Sequence, residues 1–163
     1  MKKLNKKGFT LIELLAVIII LGVLLLIAVP SVSKYIEQSK QDAYVTNVKN
    51  FVDAVRTDVA AGTIAVPAGE CRYVKFESIT LEKGSNTKSP YGDYEVGYVK
   101  VVNNNGTYTY TAAALDDQGR GFVEVDVNGV DADNKPLFGR AQIGTSGPTD
   151  YPADDTCKEY SAA

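Results

Sequence analysis

The chain has 163 residues and a formal charge of −3, enough for one modest domain and without the basic excess that a nucleic-acid groove needs. Lys2, Lys3, Lys6 and Lys7 hold four of its positive charges, leaving 13 basic against 20 acidic residues from Phe9 onward, a net −7. Histidine and tryptophan are absent, which removes the commonest general base and metal ligand and argues against an enzyme; no cofactor is expected.

The four lysines precede Phe9–Val29, an apolar stretch in which Glu13 is the only charge. At roughly 1.5 Å per residue, these 21 residues in helical form just span a hydrocarbon core of about 30 Å. Lysines on the N-terminal side predict an N-terminus in the cytoplasm and the remainder outside, by the positive-inside rule. Two ordinary readings compete: a cleaved secretory signal ending near Ser31-Val32-Ser33, and a plain single-pass anchor. Neither accounts for Glu13, because an ionisable group in lipid costs on the order of a few kcal/mol and is usually there for a partner.

The run Lys6-Lys7-Gly8-Phe9-Thr10-Leu11-Ile12-Glu13-Leu14-Leu15 closely resembles the type IV pilin signature, in which a basic leader ends in glycine before Phe-Thr-Leu-Ile-Glu and a long apolar run. The resemblance implies that residues 1–8 are a leader, cut between Gly8 and Phe9 by a prepilin peptidase/methyltransferase that also methylates the new Phe9 amine. It further implies a precursor in the cytoplasmic membrane and an extracellular filament after assembly. The partners implied are further copies of the chain in a helical homopolymer, an assembly platform in the cytoplasmic membrane, and minor pilins. Physical chemistry gives reasons for these residue types. Glycine is the least hindered residue at a scissile bond. The new α-amine is cationic, so Glu13 of one subunit can pair with Phe9 of a neighbour, and misregister would strand both charges.

Helical patterning divides into a membrane and polymerisation segment, 9–30, and an amphipathic continuation, 31–61. In the second, Val45, Val48, Val52, Val55 and Val59 recur at spacings of 3, 4, 3 and 4, one narrow apolar seam. Lys40, Asp42, Lys49, Asp53, Arg56 and Asp58 fill the other faces, and Gly62 is a C-terminal stop. Gly22 and Pro30 bracket Val23–Val29; the proline removes a backbone hydrogen bond and kinks the axis at a cost of about 3 kcal/mol. In the pilin resemblance this stretch loses helicity in filaments, which implies stretchability for residues 22–30, while bland helix bending serves the lone chain equally well.

Residues 62–163 turn to Thr, Tyr, Asn, Asp and Gly with alternating patterning. Strands are expected at 94–102, 107–115 and 122–127, joined by the turn clusters Asn103–Gly106 and Asp116–Gly119, with shorter strands near 72–76 and 79–82. The fold class is α+β: one long helix whose C-terminal half packs on a small antiparallel sheet. Ser89-Pro90-Tyr91-Gly92-Asp93-Tyr94 resembles the Pro-aromatic-Gly turn that precedes the sheet in pseudopilins and some pilins. Asp126-Val127-Asn128-Gly129, with Asn134-Lys135-Pro136 and Phe138-Gly139, resembles a loop of similar heads, with Pro and Asn in a different order. Asp126, Asn128, Asp131 and Asp133 raise a calcium question. Val130 stands where the EF-hand spacing wants a ligand, which leaves a solvated acidic turn and no expected metal.

Cys71 and Cys157 lie at opposite ends of the head sequence, and an exported head is where disulfides persist. Pairing them closes a loop of about 86 residues, contributes on the order of 4 kcal/mol by loop entropy and secures Thr149–Ala163; two free buried thiols are the alternative. Pilins often close a shorter C-terminal loop, so the wide spacing departs from the family. The functional expectation is a major pilin of a type IV pilus serving adhesion, motility or DNA uptake. The alternatives are a pseudopilin of a type II secretion or competence system, and an anchored extracellular binding domain that never polymerises. Glu13 separates assembly from anchoring, because an anchor gains nothing from it.

Overall fold

A computed structural model describes residues 9–81, 87–153 and 157–160. The chain forms two compact units, one ending at Gln38 and one beginning at Ser39, and helix α1, Leu11–Ala60, contributes to both. In the first unit α1 continues through Pro30. There Ser31 Oγ donates to the Ile27 carbonyl at 3.4 Å and Ser33 Oγ to the Val29 carbonyl at 3.0 Å, side-chain bonds to backbone oxygens around a site where proline has removed one donor. At its other end α1 closes in a Schellman motif on Gly62, whose φ is +78°. The Gly62 N–H reaches the Val59 carbonyl at 3.1 Å and the Thr63 N–H reaches the Asp58 carbonyl at 2.9 Å, satisfying carbonyls that a helix end otherwise strands.

In the second unit α1 buries Tyr44, Asn47, Val48, Phe51, Val52 and Val55. This corrects the all-valine seam: Val48, Val52 and Val55 lie in the core, whereas Val45 and Val59 are only half-buried at its margin. The buried face is rotated toward Tyr44 and Phe51 because an aromatic ring removes more surface from water than valine does. Phe51 stacks on Phe76 at 4.0 Å between centroids, and Tyr94 meets both rings edge-on.

Against this face lies a five-stranded sheet ordered β4-β3-β2-β1-β5. Its members are β1 Cys71–Lys75, β2 Tyr94–Asn104, β3 Thr107–Asp116, β4 Gly121–Asp126 and β5 Lys158–Glu159. β2, β3 and β4 form the expected antiparallel meander, and β1 pairs antiparallel with β2. Asn105 and Gly106, with φ of +52° and +99°, make the two-residue turn between β2 and β3. Positive φ at both central positions is what the right-handed strand twist requires of such a hairpin. Two expectations need correction. Residues 79–81 form no strand; Phe76–Ser78 is instead a 3-10 turn, which seats Phe76 beneath Phe51. The sheet is also mixed, because β5 pairs in parallel with β1 through Arg72 and Tyr73.

Val74, Phe76, Val99, Val101, Ala112, Ala114 and Phe122 face the helix. On the opposite face Tyr73, Tyr98 and Ala113 are buried under Cys157 and Tyr151. Cys71 and Cys157 form a disulfide with their Cα atoms 4.8 Å apart. The bond ties β5 beside β1, where two residues of pairing would contribute little alone. Gly97 lies opposite Phe76, whose ring would stand 2.4 Å from an added Cβ, so glycine is needed for close packing.

Burial pushes the Tyr98 phenol up to about 12, with the Glu124 carboxylate adding to the effect. Burial also raises Tyr44 and Tyr94. The folded head therefore keeps phenol protons that the unfolded chain loses from about pH 10. Its stability should be complete below that pH and fall as pH rises through about 12. Circular-dichroism unfolding at stepped alkaline pH checks this, and Tyr98→Phe should flatten the decline.

Candidate assembly site

Helix α1 begins on a reciprocal cap. The Thr10 N–H and hydroxyl both donate to Glu13 Oε2 at 2.8 Å, and the Glu13 N–H donates to Thr10 Oγ1 at 3.3 Å. This is a capping box in which two otherwise orphaned amide donors are satisfied by side chains. The carboxylate also sits in the first turn, where the helix dipole favours negative charge. The hydrogen bonds described for Glu13 use Oε2, leaving Oε1 available to a further donor. Phe9 stands just before the cap, 90% exposed.

Sixteen large apolar side chains from Phe9 to Val29 are each between 51 and 90% exposed. At roughly 1.5–3 kcal/mol apiece, their hydration would cost tens of kcal/mol, several times the net stability of an ordinary domain. This part of α1 is long and apolar enough to cross a membrane. Lipid or another protein surface must cover it.

The leader lysines, Gly8 and hence the expected cleavage bond lie outside the described residues. A Cβ on Gly22 would meet nothing within 4 Å, so the single chain offers no packing reason for that glycine. In the acidic loop, Asp126 Oδ1 accepts from the Asn128 N–H at 3.1 Å. Asp131 Oδ1 accepts from the N–H groups of Asp133 and Lys135, both at 2.9 Å. The Asn128 amide oxygen, in the orientation that satisfies its neighbours, accepts from the Arg56 guanidinium. These groups act as turn-forming acceptors, and no cluster of three metal-ligating acidic or sulfur side chains occurs among the described residues.

Sequence reading missed several positions. Thr10 was detectable, since Thr-x-x-Glu before an apolar run is a helix-start pattern. The head's polar anchors carry no such local signal. Buried Asp116 accepts from Ser89 Oγ at 2.5 Å and from the N–H groups of Arg120 and Gln118 at 2.8 and 3.1 Å. That carboxylate holds the resembling Ser89–Tyr94 turn against the β3–β4 turn. The Arg140 guanidinium pairs with Asp42 through two nitrogens and holds the Asp42 carboxyl below its usual range. This fastens the loop after β4 to α1 within the second unit.

The N-terminal segment matches the family described as the prokaryotic N-terminal methylation motif over residues 3–29. The chain is 37% identical over 123 residues to the type IV major fimbrial protein FimA of Dichelobacter nodosus, covering 73% of this chain and 70% of that protein. It is 30% identical over 125 residues to the type IV major pilin protein PilA of Myxococcus xanthus, covering 76% and 45%. A shorter similarity, 43% over 54 residues, links it to the competence protein ComGC of Bacillus subtilis, covering 33% and 54%. No solved structure matches the chain significantly. An uncovered apolar helix start followed by a small α+β head defines a pilin-type subunit. The chain belongs to the type IV pilin family. Membership implies self-polymerisation and processing by a prepilin peptidase, and fits a membrane-anchored precursor that passes into a filament.

Thr10→Ala removes one acceptor and one donor from the helix start and should cost about 1 kcal/mol there. Amide exchange of residues 11–14 in detergent micelles should quicken, while the sheet amides keep their wild-type protection.

Proposed function

We propose that this chain is a major pilin of a type IV surface filament serving adhesion, motility or DNA uptake. The observation that carries the reading is the reach of its similarity to a major fimbrial protein, 73% of this chain and 70% of that one, beyond the N-terminal motif and into the head. A pseudopilin of a type II secretion or competence system is the second reading, favoured by the similarity to a competence protein over 33% of the chain. A non-polymerising anchored binding domain would gain from Glu13 only the helix-start cap with Thr10.

In this reading the leader, 1–8, stays in the cytoplasm and the head, 62–163, lies outside. Cleavage falls between Gly8 and Phe9, and the new Phe9 amine is methylated. Segment 9–30 rests in lipid until an assembly platform moves it into contact with other copies, alongside minor pilins. The amphipathic segment, 31–61, joins the head from Ser39 onward, and residues 22–30 provide give under tension. Glu13 then has two roles in succession. Thr10 holds one carboxylate oxygen through 2.8 Å bonds, and the Phe9 amine of a neighbour pairs with the other, so misregister leaves both charges unpaired in an apolar surrounding.

Electron microscopy of sheared surface material, with mass spectrometry of the subunit N-terminus, tests the reading. Long fibres beginning at methylated Phe9 are expected, whereas a cell-bound chain retaining Met1–Gly8 would favour an anchor. Gly8→Leu should abolish processing; a mature protein still starting at Phe9 would overturn the cleavage assignment. Glu13→Leu as sole subunit should give normal membrane levels, an intact disulfide and few or no fibres. Abundant fibres of wild-type length would remove the register role.

A further inference from the structure

The β2–β3 hairpin ends in Asn105-Gly106, and every residue from Asn104 to Thr109 is exposed. An Asn-Gly step is the dipeptide most prone to spontaneous deamidation, because glycine leaves the following backbone nitrogen unhindered. In that reaction the Gly106 nitrogen attacks Asn105 Cγ, a new C–N bond closes a five-membered succinimide, and Nδ2 leaves as ammonia carrying the displaced amide proton. Water then opens either carbonyl of the ring, giving aspartate or isoaspartate. The balance is one water consumed and one ammonia released, with no change of oxidation state.

The attacking nitrogen is not available at this tip. The Gly106 N–H donates to Asn103 Oδ1 at 2.7 Å. Asn103 is itself 5% exposed, and its Nδ2 donates to the Val66 carbonyl at 2.7 Å and the Tyr108 hydroxyl at 3.3 Å. Its backbone is fixed as well: the Asn103 N–H reaches the Glu70 carbonyl at 3.0 Å and its carbonyl accepts from the Gly69 N–H at 2.8 Å. The acceptor that engages the reactive nitrogen is thus part of the sheet and is bonded to the segment after α1. A flexible loop offers no such fixed acceptor.

We propose that Asn105-Gly106 is a latent deamidation site whose reaction with water is held back by the Asn103 side chain. Loss of that restraint converts a neutral tip into an anionic one and, in the isoaspartate product, lengthens the main chain by one atom at the turn. The inference rests on the hairpin alone and does not depend on the filament reading.

The test is peptide mapping by mass spectrometry of the full chain in detergent, incubated at pH 8 in isotopically labelled water and sampled over days. Heavy oxygen at residue 105 reports turnover. The folded wild type should convert far more slowly than the same chain reduced and denatured. Asn103→Ala should speed conversion about tenfold, the rate equivalent of losing a hydrogen bond of about 1.4 kcal/mol. Asn103→Asp keeps an acceptor for the Gly106 N–H while losing the donors to Val66 and Tyr108, and should stay close to wild type. That variant separates restraint of the nitrogen from mere stability of the hairpin, and thermal unfolding of each variant verifies that it is folded at the incubation temperature. Equal rates for wild type and Asn103→Ala, equal rates for folded and denatured wild type, or an Asn103→Asp rate matching Asn103→Ala would each overturn the proposal. So would a glycan found on Asn105, the first residue of an Asn-x-Thr acceptor pattern.

Discussion

From Phe9 to Val29 the chain presents an apolar surface that nothing among the described residues covers. Sixteen large side chains, each at least 51% exposed, cannot remain in water, because the penalty exceeds what a head of this size can offset. They must lie in an apolar surrounding, and in the proposed reading they pass from one to another. Lipid and the packed helices of other copies are chemically similar surroundings, and the exchange between them is decided by small differences. In the proposed reading a single carboxylate is such a difference. Glu13 is unfavourable in hydrocarbon, and its engagement by Thr10 reduces that penalty without cancelling its charge.

The second unit solves a different problem with the same helix. Between Tyr44 and Val55 the core-facing side of α1 becomes aromatic and β-branched, and the sheet supplies a matching inner face of valines, alanines and Phe122. The small residues are as important as the large ones. Gly97 and the alanines of β3 let Phe76, Phe51 and Tyr94 pack edge-to-face and stacked within one layer, and aromatic contacts of this kind add to the area they bury. Among the described residues the outer face is covered by the disulfide-tethered Cys157 and by Tyr151. A bond closing a loop of 86 residues contributes most by restricting the unfolded chain, which compensates for a β5 of only two residues.

Polar side chains set the connections between these layers. Asp116 fixes one end of the meander to the turn before it, Asn103 fixes the other end to the segment after α1, and Arg140 fastens the long loop after β4 to Asp42. Asp116 and Asn103 are buried with several partners each and tie distant segments in one arrangement, because any alternative strands a donor or an acceptor, whereas the Arg140–Asp42 pair is exposed. The loop of Asp126 to Asp133 differs, because the Asp126 and Asp131 carboxylates accept from backbone N–H groups of their own loop in exposed, local bonds.

What was legible in the sequence was whatever depends on neighbours along the chain. The apolar run and its lone glutamate, the helix as far as Gly62, the three-strand meander and the Asn-Gly turn all follow from local period and from residues whose backbone preferences are steep. The Thr10–Glu13 cap belongs to the same group, since its pattern spans only four residues. Tertiary structure alone decided what depends on residues far apart. It rotated the core face of α1 from the valine seam toward Tyr44 and Phe51, because aromatic area outweighs a regular spacing once a partner surface exists. It made the sheet mixed by bringing residues 158–159 beside 71–75, and it converted residues 76–78 into a 3-10 turn that delivers Phe76 to Phe51. The Ser89–Asp116 and Asp42–Arg140 pairs join residues 27 and 98 positions apart. Such bonds have no local signature, because their partners meet only once the fold has formed; Ser89 and Asp116 are then shut off from water, whereas Asp42 and Arg140 stay exposed.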